Sequence, residues 1–284
     1  CADLDDPEWR PICAFAEAAA DPRSFFELFF RPVLIGGDAP ALFTGYYEPE
    51  LDGSLRPTAR FRYPVYRVPP EARDGQWVSR REIEEGGLLE GRGLEIAWVD
   101  DPVELFFLQV QGSGRIRLPD GSVIRVGYGG RNGQPYRSIG QVLIARGEIA
   151  AENITADWVK SWLNAHPEQM DALFWENPSY IFFAPRQTAG ALGAVGDVLS
   201  PHRSIAVDPA YIPYGLPVMV ARQGHEPRLY LAQDCGSAIK GPQRADIFCG
   251  SGNEAGHHAG QINAAAQLTV LWPKGHAVVD DLAG

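Results

Sequence analysis

Three aspartates stand where short apolar segments stop or start. Asp208 follows Ser-Ile-Ala-Val and precedes Pro-Ala-Tyr-Ile-Pro, Asp234 ends Leu-Tyr-Leu-Ala-Gln, and Asp246 opens Ile-Phe-Cys-Gly after the loop 235–245. Carboxylates at strand ends can converge on a cleft even when distant in sequence. Burial, or a second carboxylate nearby, then raises one pKa so that the acid holds a proton near neutral pH. The chemistry to which this points is general acid/base catalysis, set against plain capping and loop roles for the same side chains. Between the last two aspartates runs Gly236-Ser237-Ala238-Ile239-Lys240-Gly241, tight enough for close backbone approach.

Other chemistries find less support. Gly112-Ser113-Gly114 and Gly250-Ser251-Gly252 do not fit the G-x-S-x-G elbow of a serine nucleophile, and neither GxGxxG nor GxxxxGK occurs. The six histidines (166, 202, 225, 257, 258 and 276) include no HExxH and no spaced pair, and adjacent His257 and His258 would face different ways on a helix. Neither a metal nor a cofactor is therefore expected. Cys1 with Cys13, and Cys235 with Cys249, are candidate disulfides; the alternative is four small buried thiols.

The elements that must position these groups are short. Gly and Pro total 31 and 23 of 284 residues, which favours turns and brief strands over long helices. Residues 8–37 read as helical, with Ser24 as a possible cap, and 41–50 as a strand running into a turn. Residues 63–67 read as a strand, and 80–85 as a short helix ended by Gly86-Gly87. The clearest β pattern lies in 94–128, where LEIAWV, ELFFLQVQ, RIRLP and SVIRVGY alternate with turn residues such as Pro119-Asp120-Gly121. Ser138–Arg146 reads as a helix. Thr155 caps another, whose Trp158 and Trp162 are read as core and not as a ligand platform. After YIFFA at 180–184, the stretch 185–203 reads as a domain crossing. Then come SIAVD, VMVAR, RLYLAQD and ADIFCG as strands, Glu254–Ala266 as a helix and QLTVLW as a last strand.

The formal charge of −11 opposes binding to nucleic acid, and no such partner is expected. Arg115, Arg117, Arg125, Arg131 and Arg137 do crowd one region, read either as a solvated β face or as a functional strip. No apolar run reaches the roughly 18 residues a membrane span needs. Cys1-Ala2 could suggest a lipid-modified terminus, but the segment to Ala20 reads as a helical region continuing from upstream, where any anchor would lie.

Residues 234–250, D-C-G-S-A-I-K-G-P-Q-R-A-D-I-F-C-G, closely resemble the signature of the membrane-bound lytic transglycosylase A family, in the domain named 3D for its three aspartates. The resemblance continues through Ser251–Gly256 and Ala259-Gly260. It extends back to Thr44-Gly45-Tyr46-Tyr47-Glu48-Pro49, Tyr63–Arg67, Gln109–Gly114, Asn132-Gly133, Tyr136–Gly140 and Asn177–Phe183, covering nearly the whole chain.

The resemblance implies a mainly β fold with peripheral helices. A double-psi β-barrel would be built from 1–70 and 185–284, and a smaller β domain inserted at 71–184 would form the other wall of a glycan groove. It implies cleavage of the β-1,4 bond between N-acetylmuramic acid and N-acetylglucosamine in peptidoglycan, leaving 1,6-anhydro ends. Asp246 matches the single acid/base, with Asp234 and Asp208 orienting and tuning it. Lys240 is expected to face away from Asp246, or to act on substrate or loop backbone. Thr44, Gly45 and Tyr46, together with Gln111, Gly112, Ser113 and Gly114, are candidate sugar contacts, with Tyr128 and Arg137 behind them; a tight β turn is the bland reading of 111–114. Cys235 and Cys249 depart from the family pattern. A bridge between them would close the catalytic loop at both ends and fit the periplasm, and two unpaired thiols are the alternative. Cys1 resembles a cysteine of the family's N-terminal domain, with Cys13 its mate. A monomer at the periplasmic face of the envelope is implied. Rival readings are a non-catalytic peptidoglycan-binding envelope protein, a true hydrolase and a structural scaffold.

Overall fold

The computed structural model describes residues 9–36 and 41–275. In chain order its elements begin with α1 (Trp9–Ala18), α2 (Pro22–Phe29), β1 (Phe30–Leu34), β2 (Ala41–Glu48), β3 (Glu50–Ser54), β4 (Tyr63–Tyr66) and α3 (Arg80–Glu85). There follow β5 (Glu95–Val99), α4 (Pro102–Gln111), β6 (Gly114–Arg117), β7 (Val123–Arg131), α5 (Ile139–Ala145), α6 (Ala156–Ala165), α7 (Met170–Trp175) and β8 (Ile181–Arg186). Last come β9 (Ser204–Val207), β10 (Pro217–Arg222), β11 (Arg228–Asp234), β12 (Arg244–Ser251), α8 (Asn253–Gly260) and β13 (Asn263–Pro273).

The chain forms two compact units, each from separated stretches. The first takes the described parts of 1–43, 203–245 and 264–284; the second takes 44–202 and 246–263, so the division falls inside β2 and β12. In the first unit five strands follow the order β1-β13-β10-β11-β9, antiparallel except for the β9–β11 pair. The register of β11 against β9 shifts between Ala232 and Asp234, a bulge that re-aims the strand end just where the aspartate stands. Buried Gln243 stitches this unit together: its Nε2 donates to the carbonyls of Ile35 and Leu268, and its Oε1 accepts the Leu268 amide.

The second unit holds a six-stranded sheet in the order β4-β5-β3-β6-β7-β8. Leu51, Val65, Ala97, Val99, Ile116, Val126 and Phe183 bury one of its cores. A second core belongs to helices: Val103, Phe106 and Phe107 of α4 pack with Leu143, Trp162, Leu163, Leu173 and Phe174. Trp162 is thus core, as expected, and the fold mixes sheet and helix. The helices are not merely peripheral.

Several segments depart from the sequence reading. ELFFLQVQ belongs to helix α4 and not to a strand. Asp101 caps it through the amides of Val103 and Glu104, Pro102 fills the first turn, and Gly112 at φ +77° ends it. The helix is wedged between two cores, with Val103, Phe106 and Phe107 facing one and Leu108 the other. Its apolar residues therefore spread over two faces and give no clean 3.6-residue stripe. Residues 30–34 form strand β1, not the end of a helix, and the cap of α2 is Asp21, which accepts the amides of Arg23 and Ser24. Helix α8 stops at Gly260; the alanines after it join β13, where Ala266 pairs with Arg222, so sheet pairing overrides their helix propensity.

Candidate active site

Asp246 lies near the start of β12, half-buried, and its Oδ1 accepts the hydroxyl of Thr44 at 2.7 Å. The TGYYE stretch of β2 neighbours β12 and organises the surroundings. A Cβ on Gly45 would come within 2.8 Å of the Ala259 backbone, and one on Gly256 within 2.7 Å of the Tyr47 ring, so both glycines let α8 lie against β2. The Tyr46 ring packs on Phe248 with centroids 5.4 Å apart. Gln111, the last residue of α4, accepts the Tyr47 amide through Oε1 at 3.3 Å. Lys160 of α6 reaches Glu104 at 2.8 Å and the Tyr47 hydroxyl at 3.4 Å. Burial raises the Tyr47 phenol above its ordinary value.

Thr44, Tyr46, Gln111 and Asp246 all fall in the second unit, whereas Asp208, Asp234 and Lys240 belong to the first. There Asp208, 6% exposed, accepts the Gly241 amide at 2.9 Å and that of Ala210 at 3.3 Å, and Lys240 Nζ lies 3.7 Å from its Oδ1. Asp208 therefore holds the Gly236–Gly241 loop by its end, and the positive charge of Lys240 is directed to Asp208. Asp234 accepts the amide of Cys235 at 2.9 Å.

The remaining candidates divide by environment. Gly112 is the left-handed helix end, Ser113 is half-buried, and Gly114 is buried where a Cβ would collide with the Leu108 side chain. Tyr128, on β7, is 51% exposed. Arg137 is held by Glu176 at 2.5 Å, which also binds Arg146 at 2.9 Å. The Asn132 and Asn177 motifs act as stitches: Asn132 Nδ2 donates to the carbonyls of Val78 and Pro178, and Asn177 Oδ1 accepts the Arg137 amide.

The expected Cys235–Cys249 bridge does not form, and both are free thiols. Along β12, residues three apart point to opposite faces, so Cys249 turns away from the side on which Asp246 stands. Cys249 is buried, with Sγ 3.6 Å from the Ile247 carbonyl, and burial pushes its thiol up to about 12. Cys235 is exposed and meets the Tyr214 hydroxyl. Cys13 is disulfide-bonded; Cys1, its expected mate, lies outside the described residues.

Sequence reasoning passed over Glu48. It is fully buried, receives Arg125 on both oxygens at 2.7 and 2.9 Å, and accepts the Ser251 hydroxyl at 2.6 Å. Nearby, Arg115 pairs with Glu50, and Arg117 with Glu50 and Asp52, across the β3–β6 register. These three arginines are thus matched by carboxylates, which answers the question of a basic strip there. The signal was present: β3 carries an acid at alternate positions, as β6 carries arginines. Among the described residues no helix is long and apolar enough to cross a membrane.

Known proteins bear on this geometry. Residues 42–184 match the model of the MltA specific insert domain, and 203–272 that of the 3D domain. The membrane-bound lytic murein transglycosylase A of Escherichia coli K12 is 38% identical over 241 residues, 81% of this chain; the chain spans 65% of that relative's length. The crystal structure of a membrane-bound lytic murein transglycosylase from Agrobacterium tumefaciens is similar at a TM-score of 0.84 and 36% identity, covering 93% of this chain and 83% of the other. The E. coli MltA structure with bound chitohexaose follows at 0.80 and 33%, covering 93% and 82%. Matches to both domain models together with this likeness across nearly the full chain carry one conclusion: the chain belongs to the MltA family of membrane-bound lytic murein transglycosylases.

Proposed function

We propose that this protein cleaves peptidoglycan glycan strands between N-acetylmuramic acid and N-acetylglucosamine, with Asp246 as the only acid/base. The observation that carries this reading is the half-buried Asp246 carboxyl, which takes a hydroxyl donor, Thr44, at 2.7 Å. Protonated Asp246 donates to the glycosidic oxygen as the C1–O bond breaks. Its carboxylate then accepts the proton of the muramic acid C6 hydroxyl as O6 bonds to C1, closing the 1,6-anhydro ring and restoring the acid. The nucleophile is part of the substrate, so proximity replaces the second carboxyl that water-using glycosidases need. Because the acid must start protonated, activity falls on the alkaline side.

Asp208 and Asp234 act as positioning residues in this reading, supported by the grip of Asp208 on the Gly241 amide. Thr44, Gly45, Tyr46, Gln111–Gly114, Tyr128, Arg137 and Lys240 serve the glycan or its surroundings. We also propose that 1–70 and 185–284 form a double-psi barrel around an insert at 71–184, and that the protein works as a monomer at the periplasmic face of the envelope. The name "membrane-bound" of its relatives supports an anchor upstream of this chain. Digestion of purified peptidoglycan, with fragments analysed by mass, tests the activity. Anhydro ends are expected. Reducing ends carrying one added water would make the protein a hydrolase, and glycan bound but intact would make it a binding protein.

A further inference from the structure

On the other side of β12 lies a group of side chains that the proposed reaction does not use. His202, just before β9, Cys249 in β12 and His258 in the last turn of α8 each offer one ligand atom, and these atoms all lie within 4.8 Å of one another. All three residues belong to the second unit. Cys249 is buried and the two imidazoles are exposed, so the sulfur forms a floor beneath two rings open to solvent.

The backbone around the cluster is fixed. The His202 amide donates to the Phe248 carbonyl at 2.7 Å, which pins residue 202 beside the strand that carries Cys249. His202 is also the only non-glycine among the described residues with positive φ, at +59°, a conformation that costs free energy for a residue with a Cβ. That conformation sets its ring edge-on to His258, with centroids 5.1 Å apart at 89°. Helix α8 is held in turn by the close approaches of Gly45 to Ala259 and Gly256 to Tyr47.

We propose that His202, Cys249 and His258 form a binding site for a zinc-class divalent cation. Two imidazole nitrogens and one thiolate make a borderline donor set that suits Zn2+ and rejects the oxygen-seeking Mg2+ and Ca2+. Tetrahedral Zn2+, with Zn–S of about 2.3 Å and Zn–N of about 2.0 Å, places its ligand atoms roughly 3.4–3.6 Å apart. Closing from the present separations needs about 1 Å of movement, within reach of rotation of two exposed imidazoles. On binding, the Cys249 Sγ–H proton passes to buffer. The thiolate and two imidazole lone pairs replace three waters of the hydrated ion, and the fourth position keeps water. No electron changes hands. The ion would tie β12, the last turn of α8 and residue 202 together, behind the strand on which Asp246 stands.

The test is calorimetric titration of the chelator-treated, tag-free protein with Zn2+ alone, run in two buffers of different ionisation enthalpy, alongside Co2+ absorption spectra. The expected result is one ion per chain, proton release on binding, and a thiolate-to-cobalt charge-transfer band. Cys249→Ser, His202→Ala and His258→Ala each weaken binding by at least about tenfold, and Cys249→Ser abolishes the cobalt band. Cys235→Ser and His257→Ala leave binding unchanged; the His257 ring lies instead 2.9 Å from Gln261 Nε2 and 3.7 Å from Asp157. If Cys249→Ser fails to fold, His258→Ala decides, because that side chain is exposed near a helix end. Absence of stoichiometric binding, or affinity unchanged in His258→Ala, would overturn the proposal.

Discussion

Glu48 and Asp246 sit on neighbouring strands of the same unit, and both are carboxylates, yet they are held by different kinds of donor. Glu48, with no exposed surface, takes a guanidinium on both oxygens and a hydroxyl besides. A guanidinium only donates and never gives up its charge, so Arg125 ties Glu48 in place as a strut. Asp246 takes the hydroxyl of Thr44. A hydroxyl donates to a carboxylate, and after rotation accepts from a carboxylic acid, so this partner serves both protonation states. The difference teaches how carboxyls of like chemistry are set to different ends: a permanent cation holds Glu48 as a strut, and a rotatable neutral donor suits the proton transfer proposed for Asp246.

The largest effect should come from Asp246→Asn, which keeps the shape and removes the transferable proton. Turnover of soluble glycan fragments is expected to fall about 10^3-fold, within the range for losing an acid/base group, with the melting temperature unchanged. Near-normal turnover would end the distinction between the two carboxylates. Arg125→Met breaks the other half of the comparison by leaving Glu48 buried without its cation. Urea unfolding should show a loss of about 3–5 kcal/mol, and a loss near zero would mean that Glu48 is not the strut described.

Thr44→Val removes the rotatable donor at nearly constant volume. A hydrogen bond to an ionised group is worth about 1.5–3 kcal/mol, so kcat should drop about 10- to 100-fold with little change in stability, and Thr44→Ser should restore most of it. A rise in KM alone, with kcat intact, would place Thr44 outside the proton-transfer step.

Cys249 reports on the strand that both carboxylates depend on. Its thiol is pushed up to about 12, so at pH 8 it stays protonated as well as buried. A disulfide reagent should label Cys235 quickly and Cys249 only with unfolding. Equal rates would mean that β12 opens locally, and that the availability of Asp246 comes from motion and not from its place on the strand.

The smallest effect is expected at Asp52, which Arg117 and Arg60 hold below the usual carboxylate range. Because its folded pKa is depressed, its contribution is present above about pH 3.9, the unfolded value, and is lost as pH falls through the folded one. The group is about a third exposed, at 35%, and solvent and salt screen the pair. Asp52→Asn should therefore lower the melting temperature slightly at neutral pH and low salt, and not at all in strong acid. A loss rivalling that of Arg125→Met would erase the contrast between buried and exposed ion pairs.

Much of this molecule was legible in its residues. Local signals with a definite backbone meaning match the structure: Gly86-Gly87 ends α3, Thr155 precedes α6 and Pro119-Asp120-Gly121 lies between β6 and β7. Ser138, read as the first residue of a helix, is instead the cap of α5, and Ser79, which the reading passed over, caps α3. The Thr44 and Asp246 stretches are legible too, through the family resemblance they carry. Helix α4 was misread although Asp101-Pro102 and Gly112 mark its ends, because a segment buried on two sides loses the periodicity by which a helix is recognised.

What the sequence could not decide was set by contacts between residues far apart in the chain. Strand parity turned Cys249 away from the side of Asp246, and it is a buried free thiol, not half of a bridge. The β3–β6 register matched arginines to acids that composition alone left as an open strip. Packing of α8 and the left-handed turn at His202 gathered two histidines and a cysteine that show no spacing pattern at all. Caps and turns are written in a few neighbouring residues because their hydrogen bonds close locally. Partners for a buried charge or a metal are chosen by which faces the folded chain presses together, and only the tertiary structure supplies that.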